Sequence, residues 1–158
     1  HWLRRHVVAR RPPRTLTDAP AGLRVGDRFS REHQFTPTSV RDFSLAAGDD
    51  NPLHIDAAQA AASPYGGLIA SGTHTSALLL GLTASHFSKR GSVVGRRFTV
   101  RFRRAVPADA RVRIEWQIVG LQPRPGRPGQ VVQMEGTLRD AVTGELFVEG
   151  SGEVVVGL

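Results

Sequence analysis

The hydrophobic pattern of this chain changes its period near Gly91, and this change limits the possible folds more than any other feature. Residues 73–85 are rich in Leu and Ala, so apolar side chains cover most of the circumference of a helix there. After Gly91 apolar and polar residues alternate, as they do in strands with one buried face. A helix that is apolar on most sides needs a sheet around it. The pattern therefore predicts an α+β fold in which a curved antiparallel sheet is wrapped around one central helix.

Four segments carry the alternation, and short turns separate them. Their inward positions are Phe98, Val100 and Phe102; Val112, Ile114, Trp116 and Ile118; Val132, Met134, Gly136 and Leu138; and Leu146, Val148, Gly150, Gly152 and Val154. A shorter β-type stretch precedes them within residues 26–35. Neither an internal repeat nor a linker divides the sequence, so we expect a single domain over residues 16–158.

Local signals define the segments between the first β-type stretch and the central helix. A helix is predicted to begin at Pro37, after a threonine cap, and to stop at Gly48. Asn51-Pro52 predicts a turn. Asp56 can then cap a short Ala-rich helix.

Ionisable side chains are concentrated in this region, where Asp49, Asp50, Asn51, His54 and Asp56 lie within eight residues. Buried charges need partners, so a loop beside a core would normally avoid this composition. The Asn-Pro turn can bring the carboxylate of Asp49 and the imidazole of His54 to the same pocket. His exchanges a proton near neutral pH, and a carboxylate can orient it or act as the second acid/base group. The spacing thus indicates a possible acid/base pair.

Purely structural roles are an alternative explanation of why these residues occur at this spacing. Asp49 can be a polar residue that ends a helix, His54 a hydrogen-bonded structural histidine, and Asp56 an N-cap. Gly72 and Thr73 open the central helix, and the free N–H groups of a helix N-terminus can bind a developing oxyanion. Both interpretations stay open at this point.

A resemblance to a known family adds to this pattern. The run F-S-L-A-A-G-D-D-N-P-L-H-I-D, residues 43–56, resembles the signature of the MaoC-like acyl dehydratases and (R)-specific enoyl-CoA hydratases. That signature has an aromatic residue, then G-D-x-N-P-x-H, a small-residue helix, and a Gly that opens the central helix. The runs Y-G-G-L-I-A-S-G-T-H-T and F-R-R-A-V-P-A-D-A-R-V-R also resemble the family. The resemblance covers roughly residues 23–156.

The resemblance implies a hotdog fold, usually dimeric or built from dimers, and a reversible hydration of a trans-2-enoyl thioester to an (R)-3-hydroxyacyl thioester. The substrate would be carried on coenzyme A or acyl carrier protein, with no metal or redox cofactor. Asp49 and His54 would be the catalytic pair, with their acid and base roles not apportioned. Asn51 would hold the loop or the water. The Gly72 N–H would polarise the thioester carbonyl.

One position departs from the family pattern. Many hydratases have His immediately before the Gly that opens the helix, whereas this chain has Ser71. Ser71 also lacks the Gly-x-Ser-x-Gly context of a serine nucleophile. Together with Asn51, Gly72 and Thr73 it is predicted to bind substrate. Its presence keeps open the alternative of a non-catalytic acyl-thioester-binding subunit. A second alternative is an acyl-CoA thioesterase on the same fold.

The net charge of +7 is unevenly distributed. Residues 1–14 contain five Arg and no acidic residue, which leaves 16 basic residues against 14 acidic ones. We expect residues 1–15 to be a basic arm that is flexible or packed on a partner, with contact to nucleic acid or anionic lipid as the alternative. A second basic cluster surrounds Asp109 and comprises Arg96, Arg97, Arg101, Arg103, Arg104, Arg111 and Arg113.

This second cluster has three interpretations. It can be the solvated face of a sheet, or it can bind phosphate, because Arg forms two parallel hydrogen bonds with phosphate. Nucleic acid is the third choice, since no pattern of stacking aromatic residues accompanies the arginines. We therefore expect no nucleic-acid partner.

Composition excludes several other classes. The chain has no Cys, which removes disulfides, thiolate zinc sites and Cys nucleophiles and fits a reducing, cytoplasmic compartment. No stretch approaches the ~20 apolar residues of a membrane-spanning helix, so no membrane partner is expected. His54, Asp56 and His74 lack a recognised metal-ligand spacing, and His74 is expected to pack in the core.

Overall fold

The computed structural model describes residues 22–157, so the predicted basic arm lies outside the described residues. The elements are β1 (Arg28–Gln34), α1 (Pro37–Ala46), α2 (Pro52–Ile55), α3 (Ala57–Ala61), α4 (Gly72–Ser88), β2 (Val93–Phe102), β3 (Arg111–Pro123), β4 (Gln130–Asp140) and β5 (Leu146–Val156). The central helix is slightly longer at both ends than the sequence predicts. The early β-type stretch forms a full strand, so the sheet has five strands.

All five strands pair antiparallel in one open sheet, in the order β1-β3-β4-β5-β2. The three strands β3, β4 and β5 follow one another as hairpins. The outer strands β1 and β2 are distant in sequence from their partners. Helix α4 packs against every strand, which confirms the predicted sheet around a central helix.

Trp116 lies at the centre of the core between sheet and helix. Its indole N–H donates to the carbonyl of Leu79 in α4 at 2.9 Å. Gly136 stands opposite it on the neighbouring strand β4, and Gly150 stands opposite Gly136 on β5, the strand after that. A Cβ on Gly136 would lie 2.5 Å from the indole ring, and one on Gly150 3.0 Å. These inward glycines make room for the indole.

The N-terminal helices follow the predicted signals closely. Thr36 and Ser39 form a capping box at the start of α1, and Asp56 accepts from the backbone N–H of Gln59 to cap α3. The Asn51-Pro52 prediction needs a correction, because these residues open the one-turn helix α2 with Asn51 as its N-cap. Asn before Pro serves a helix start as well as it serves a turn.

Burial of the central helix is incomplete on one side. Its exposed residues are all small and recur at spacings of three or four, namely Thr73, Ala77, Gly81, Ala84 and Ser88. An open sheet covers only the opposite side of a helix, so the prediction of burial on nearly all sides is wrong along this stripe. Among residues 22–157, no helix is long and apolar enough to cross a membrane.

The alternation in β2 does not translate into a buried face. Phe98 and Val100 are only partly buried, and Phe102 is 56% exposed. β2 is an outer strand, so a single neighbour covers it, and its end runs past the start of α4. Phe102 therefore does not occupy the core position that the sequence predicts.

Candidate active site

The end of α1 positions Asp49. Gly48 has a φ of 76°, a left-handed conformation that Gly adopts at low cost, so the chain turns sharply after the helix. The Asp49 N–H donates to the carbonyl of Ser44 at 2.8 Å, and the buried Ser44 hydroxyl donates to the carbonyl of Asp49. These bonds fix the Asp49 backbone. Sequence reasoning missed Ser44, although it stands inside the signature run.

His54 is buried on α2 and has one ring nitrogen already engaged. Its Nδ1 lies 2.7 Å from the carbonyl oxygen of Ile69. A carbonyl can only accept, so Nδ1 carries a proton and donates it. In a neutral imidazole the other nitrogen, Nε2, then has a free lone pair. This nitrogen lies 3.4 Å from Oδ2 of Asp49.

The structure thus brings the predicted pair together with its tautomer defined. A lone pair and a carboxylate do not attract each other, so the two groups form a favourable contact when one of them holds a proton. His54 is 8% exposed at its side chain and Asp49 29%, so the carboxylate is the more solvent-accessible partner. Such a pair can accept one proton and release another during a reaction.

Asn51 holds the loop between the two catalytic candidates. Its backbone N–H donates to Oδ1 of Asp49 at 3.1 Å, and its side-chain oxygen accepts from the N–H of Leu53 at 3.1 Å. The first bond orients the carboxylate and the second caps α2, on which His54 lies. Of the two roles that the sequence suggests for Asn51, the structure contains the loop-holding one.

The start of α4 lies beside the pair. Ser71 is fully buried, and its hydroxyl accepts from the N–H of His74 at 3.2 Å and shares a hydrogen bond with the Thr73 hydroxyl at 2.9 Å. Ser71 is therefore the N-cap of the helix. Gly72 lines the same cavity as His54, whereas Thr73 is exposed.

This cavity has a volume of about 440 Å³ and extends from His54 to the end of β2. The Phe102 ring lies over Gly72 so closely that a Cβ there would be 2.9 Å from Cζ of the ring. Arg103, Arg104 and Tyr65 also line the cavity. Sequence reasoning did not place Phe102 and Tyr65 at the site, and it gave the two arginines only as members of a cluster that can bind phosphate. The proximity of Phe102 and the arginines depends on the path of β2 past α4.

The cavity wall is tied to the site by backbone bonds. The N–H of Ala70 donates to the carbonyl of Val106 at 2.8 Å, and that of Ile69 donates to the carbonyl of Leu53 at 3.1 Å. The segment before α4 is thereby joined both to the chain that follows β2 and to α2. The position of His54 is coupled to the cavity wall through this segment.

Comparison with known families agrees with this geometry. A family model described as "MaoC like domain" matches residues 9–143, most of the chain and the whole of the proposed site. The chain belongs to the MaoC-like dehydratase family. The predicted resemblance is thereby confirmed.

Several relatives of this MaoC-like chain are named as hydratases or dehydratases. The 3-hydroxyacyl-thioester dehydratase Z of Mycobacterium tuberculosis is 33% identical over 138 residues, which cover 82% of this chain and 90% of the relative. The unliganded R-hydratase PhaJ1 from Pseudomonas aeruginosa has a TM-score of 0.76 at 25% identity, covering 85% of this chain and 83% of that one. The (R)-hydratase from A. caviae involved in PHA biosynthesis has a TM-score of 0.76 at 24% identity, covering 86% and 98%. The hotdog fold is confirmed.

Two other titratable candidates lie in structural positions of the MaoC-like domain. Hydrogen bonds from Gln59, first of all its backbone N–H, lower the pKa of Asp56, as expected for an N-cap. His74 is buried and stacks on Phe43 with ring centroids 4.3 Å apart. Burial and, second, the nearby His33 lower the pKa of His74 to about 4, so it is neutral at pH 7. Packing of His74 is confirmed.

A larger cavity of about 630 Å³ lies on the opposite face of the sheet. Its polar side chains, such as Glu115, Gln117 and Glu135, alternate with the inward residues and point away from α4. It contains neither Asp49 nor His54. The smaller cavity is therefore the one in which a member of the predicted acid/base pair, His54, lies beside a helix N-terminus.

Proposed function

We propose that this chain catalyses the reversible addition of water to a trans-2-enoyl thioester, giving an (R)-3-hydroxyacyl thioester. The observation that carries the proposal is the contact of His54 Nε2 with Asp49 Oδ2 at the cavity wall that contains Gly72. The family match and the 33% identical dehydratase support the hydratase/dehydratase class of lyase.

The proton balance of this reaction fits a pair that holds one shared proton. As the oxygen of water bonds to C3 of the substrate, the unprotonated partner takes the proton that the water loses. The electrons of the double bond move to C2, and the protonated partner donates its proton there. The pair ends with one proton, ready for the next cycle. Either Asp49 or His54 can be the base, so the two roles stay open.

Charge develops on the thioester oxygen when water adds to C3. The first N–H groups of a helix have no partner within that helix and point outwards. Gly72 opens the 17-residue helix α4, so its N–H can stabilise the oxyanion. Ser71 would act by fixing this helix end, and the exposed Thr73 by bordering the substrate. Neither role requires Ser71 to be a nucleophile.

The substrate in this proposal is carried on coenzyme A or acyl carrier protein. Addition of water changes no oxidation state overall and needs a base, an acid and an oxyanion site, all of which the chain offers. We therefore propose that no separate cofactor takes part. A cytoplasmic location stays a prediction that the Cys-free composition supports.

We further propose a homodimer or an assembly of dimers. β2 pairs with β5 on one side, and among the described residues no strand pairs with its other edge. The strand is 10 residues long and exposes Val94 and Phe102. An open strand edge of this length presents unpaired backbone N–H and C=O groups that can pair with another strand, and a second β2 fits it across a twofold axis. Light scattering that gives the mass of a single chain would contradict the dimer.

The catalytic proposal is tested with Asp49→Asn and His54→Ala, assayed by loss of the enoyl absorbance of an enoyl-CoA series of increasing chain length. Each change removes one proton-transfer group, so we expect kcat/KM to fall about 10²–10⁴-fold. Asp50→Asn is the matched control, because Asp50 is the adjacent, exposed carboxylate. Full activity in both test variants would overturn the proposal. Release of free thiol would instead indicate a thioesterase, and binding without turnover a non-catalytic subunit.

A further inference from the structure

The arginine-rich strands do not form one basic patch. Ion pairs with glutamates neutralise most of the cluster: Arg96 and Arg97 with Glu153, Arg103 with Glu149, Arg104 with Glu145, Arg111 with Glu32, and Arg113 with Glu115. Most of these pairs lie on the solvated sheet face. Exposed ion pairs of this kind contribute little to stability. The position of each arginine relative to the active site therefore decides whether it has a further role.

Arg103 and Arg104 differ from the others in this respect. They line the cavity that contains His54 and Gly72, and no other arginine among residues 22–157 does so. The N–H of Arg103 donates to the carbonyl of Phe147 at 2.8 Å, which anchors the backbone directly after β2. Two cations are thus held at the mouth of the proposed active site.

We propose that Arg103 and Arg104 bind the phosphate group at the far end of the pantetheine arm of the thioester substrate. This inference rests on the proposed function. Coenzyme A and a carrier protein both present such a phosphate, so the recognised chemistry is the same for both.

Both guanidinium groups keep donors for a phosphate. Glu149 engages Nε and Nη2 of Arg103, and Glu145 engages Nη1 of Arg104. A guanidinium carries five N–H donors, so each ion pair leaves some of the donors of its arginine free to bind phosphate. The Arg103 side chain is 44% exposed and that of Arg104 69%. The glutamates orient the two arginines without covering them.

The cavity wall offers a group for each part of the substrate. The acid/base pair and the helix N-terminus would meet the enoyl thioester. Two aromatic rings, those of Phe102 and Tyr65, then line the cavity and are each 56% exposed, which gives apolar surface for the methyl groups of pantetheine. The arginines would meet the phosphate beyond them.

The test compares one enoyl group on four carriers: coenzyme A, 4′-phosphopantetheine, pantetheine without phosphate, and a phosphopantetheinylated carrier protein. The test variant is Arg103→Gln/Arg104→Gln. Its control is Arg97→Gln/Arg111→Gln, which removes two exposed, ion-paired arginines of the same sheet that do not line the cavity. Arg104→Gln alone keeps the Arg103–Glu149 pair in case the double variant unfolds.

For each lost arginine we expect KM for the phosphorylated carriers to rise about tenfold with kcat nearly unchanged, the size of a charge-assisted hydrogen bond. KM for the pantetheine thioester should stay unchanged, and the control should behave as the parent protein. A rise with the carrier protein alone, or with coenzyme A alone, supports the inference and identifies the natural source of the phosphate. An equal rise with the pantetheine thioester, or no rise with any carrier, would overturn it.

Failure of the proposed function is distinguishable from failure of this inference. Turnover of the phosphate-free pantetheine thioester by the parent protein tests the chemistry alone. Equilibrium binding of a saturated acyl-CoA, measured by calorimetry, tests the phosphate contact without turnover. The same measurement is made with carrier protein that bears the same saturated acyl group. Equal affinity of the parent protein and the Arg103→Gln/Arg104→Gln variant for both ligands would overturn the inference whatever the enzyme catalyses.

Discussion

Two aromatic rings of this protein lie against glycines, one in the buried core and the other at the candidate active site. The Trp116 ring fills the core and leaves no room for a Cβ on Gly136, with 2.5 Å to the nearest ring atom. The Phe102 ring lies over Gly72 at the candidate active site, with 2.9 Å to the nearest ring atom. The first ring is 1% exposed and the second 56%. Close approach of an aromatic ring to glycine therefore indicates packing in one place and an accessible cavity wall in the other.

The difference lies in what holds each ring. Trp116 has neighbours on both sides and a hydrogen bond to Leu79, so it cannot move without opening the core. Phe102 ends an outer strand and has solvent on one side. A clash at Gly136 must therefore be absorbed by the whole core, whereas a clash at Gly72 is absorbed by one side chain.

The largest effect is expected for Gly136→Ala. The added methyl group overlaps an indole ring that has no free space, so we expect the free energy of unfolding to fall by about 1–3 kcal/mol. Urea unfolding followed by tryptophan fluorescence measures this change. Activity per folded molecule should be retained. A variant as stable as the parent would show that the core is looser than the contact implies.

Gly72→Ala makes the same substitution at the other ring. Ala is the better helix former, and the Phe102 ring can move, so we expect stability to stay within about 0.5 kcal/mol of the parent value. The displaced ring and the new methyl group crowd the proposed oxyanion site, so kcat/KM should fall about tenfold, which corresponds to ~1.4 kcal/mol.

The double variant Gly72→Ala/Phe102→Ala serves as the control for this prediction. Removing the ring removes the clash. Gly72→Ala should therefore lower kcat/KM less in the Phe102→Ala background than it does in the parent protein. If Gly72→Ala were instead strongly destabilising and fully active, the two glycines would be equivalent and the contrast between core and site would disappear.

His74 joins the two regions, because it lies two residues from Gly72 but is buried like the core. Its folded-state pKa of about 4 is below the ordinary value of 6.5. Between these two pH values the unfolded chain therefore binds a proton at His74 more readily than the folded protein does. The resulting stability is complete above pH 6.5 and is lost as pH falls towards 4, by at most ~1.4 kcal/mol per pH unit.

The variant His74→Phe keeps a ring for Phe43 to stack on but cannot be protonated. Its free energy of unfolding, measured at pH 7 and pH 5, should differ less between the two pH values than that of the parent. Burial also lowers the pKa of His33, so a smaller dependence on pH remains in the variant. An unchanged slope in His74→Phe would show that His74 does not contribute to acid sensitivity.

Sequence reasoning succeeds where local chemistry determines the structure. Alternation identifies the strands, Thr36 and Gly48 bound α1, and the spacing of Asp49 and His54 places both groups at one site. Each of these signals depends on residues close together in the chain, whose caps, turns and faces follow from their own conformational preferences.

The features that the sequence does not reveal depend on contacts between distant segments. Alternation cannot show that Phe102 passes over Gly72, because that contact requires the path of β2 relative to α4. The Nδ1 partner of His54 is a backbone carbonyl at Ile69, which no side-chain motif encodes. The exposed stripe of α4 arises because the sheet is open. Sequence reasoning thus gives the proposed catalytic pair without the wall of the cavity beside it.

The pairing of the outer strands has a consequence for how the protein assembles and opens. In the central meander, β3, β4 and β5 pair with strands that are adjacent in the sequence. β1 pairs with β3 and β2 pairs with β5, which are distant from them in the sequence. Closing such long loops is slow, so the meander can form before its two flanks. In a single chain that has not yet paired with a second copy, the flanking strands have fewer neighbours and are also the ones that detach first in local opening. Because Phe102, Arg103 and Arg104 are carried at the end of β2, detachment of this strand dismantles the binding cavity while the tryptophan core stays folded.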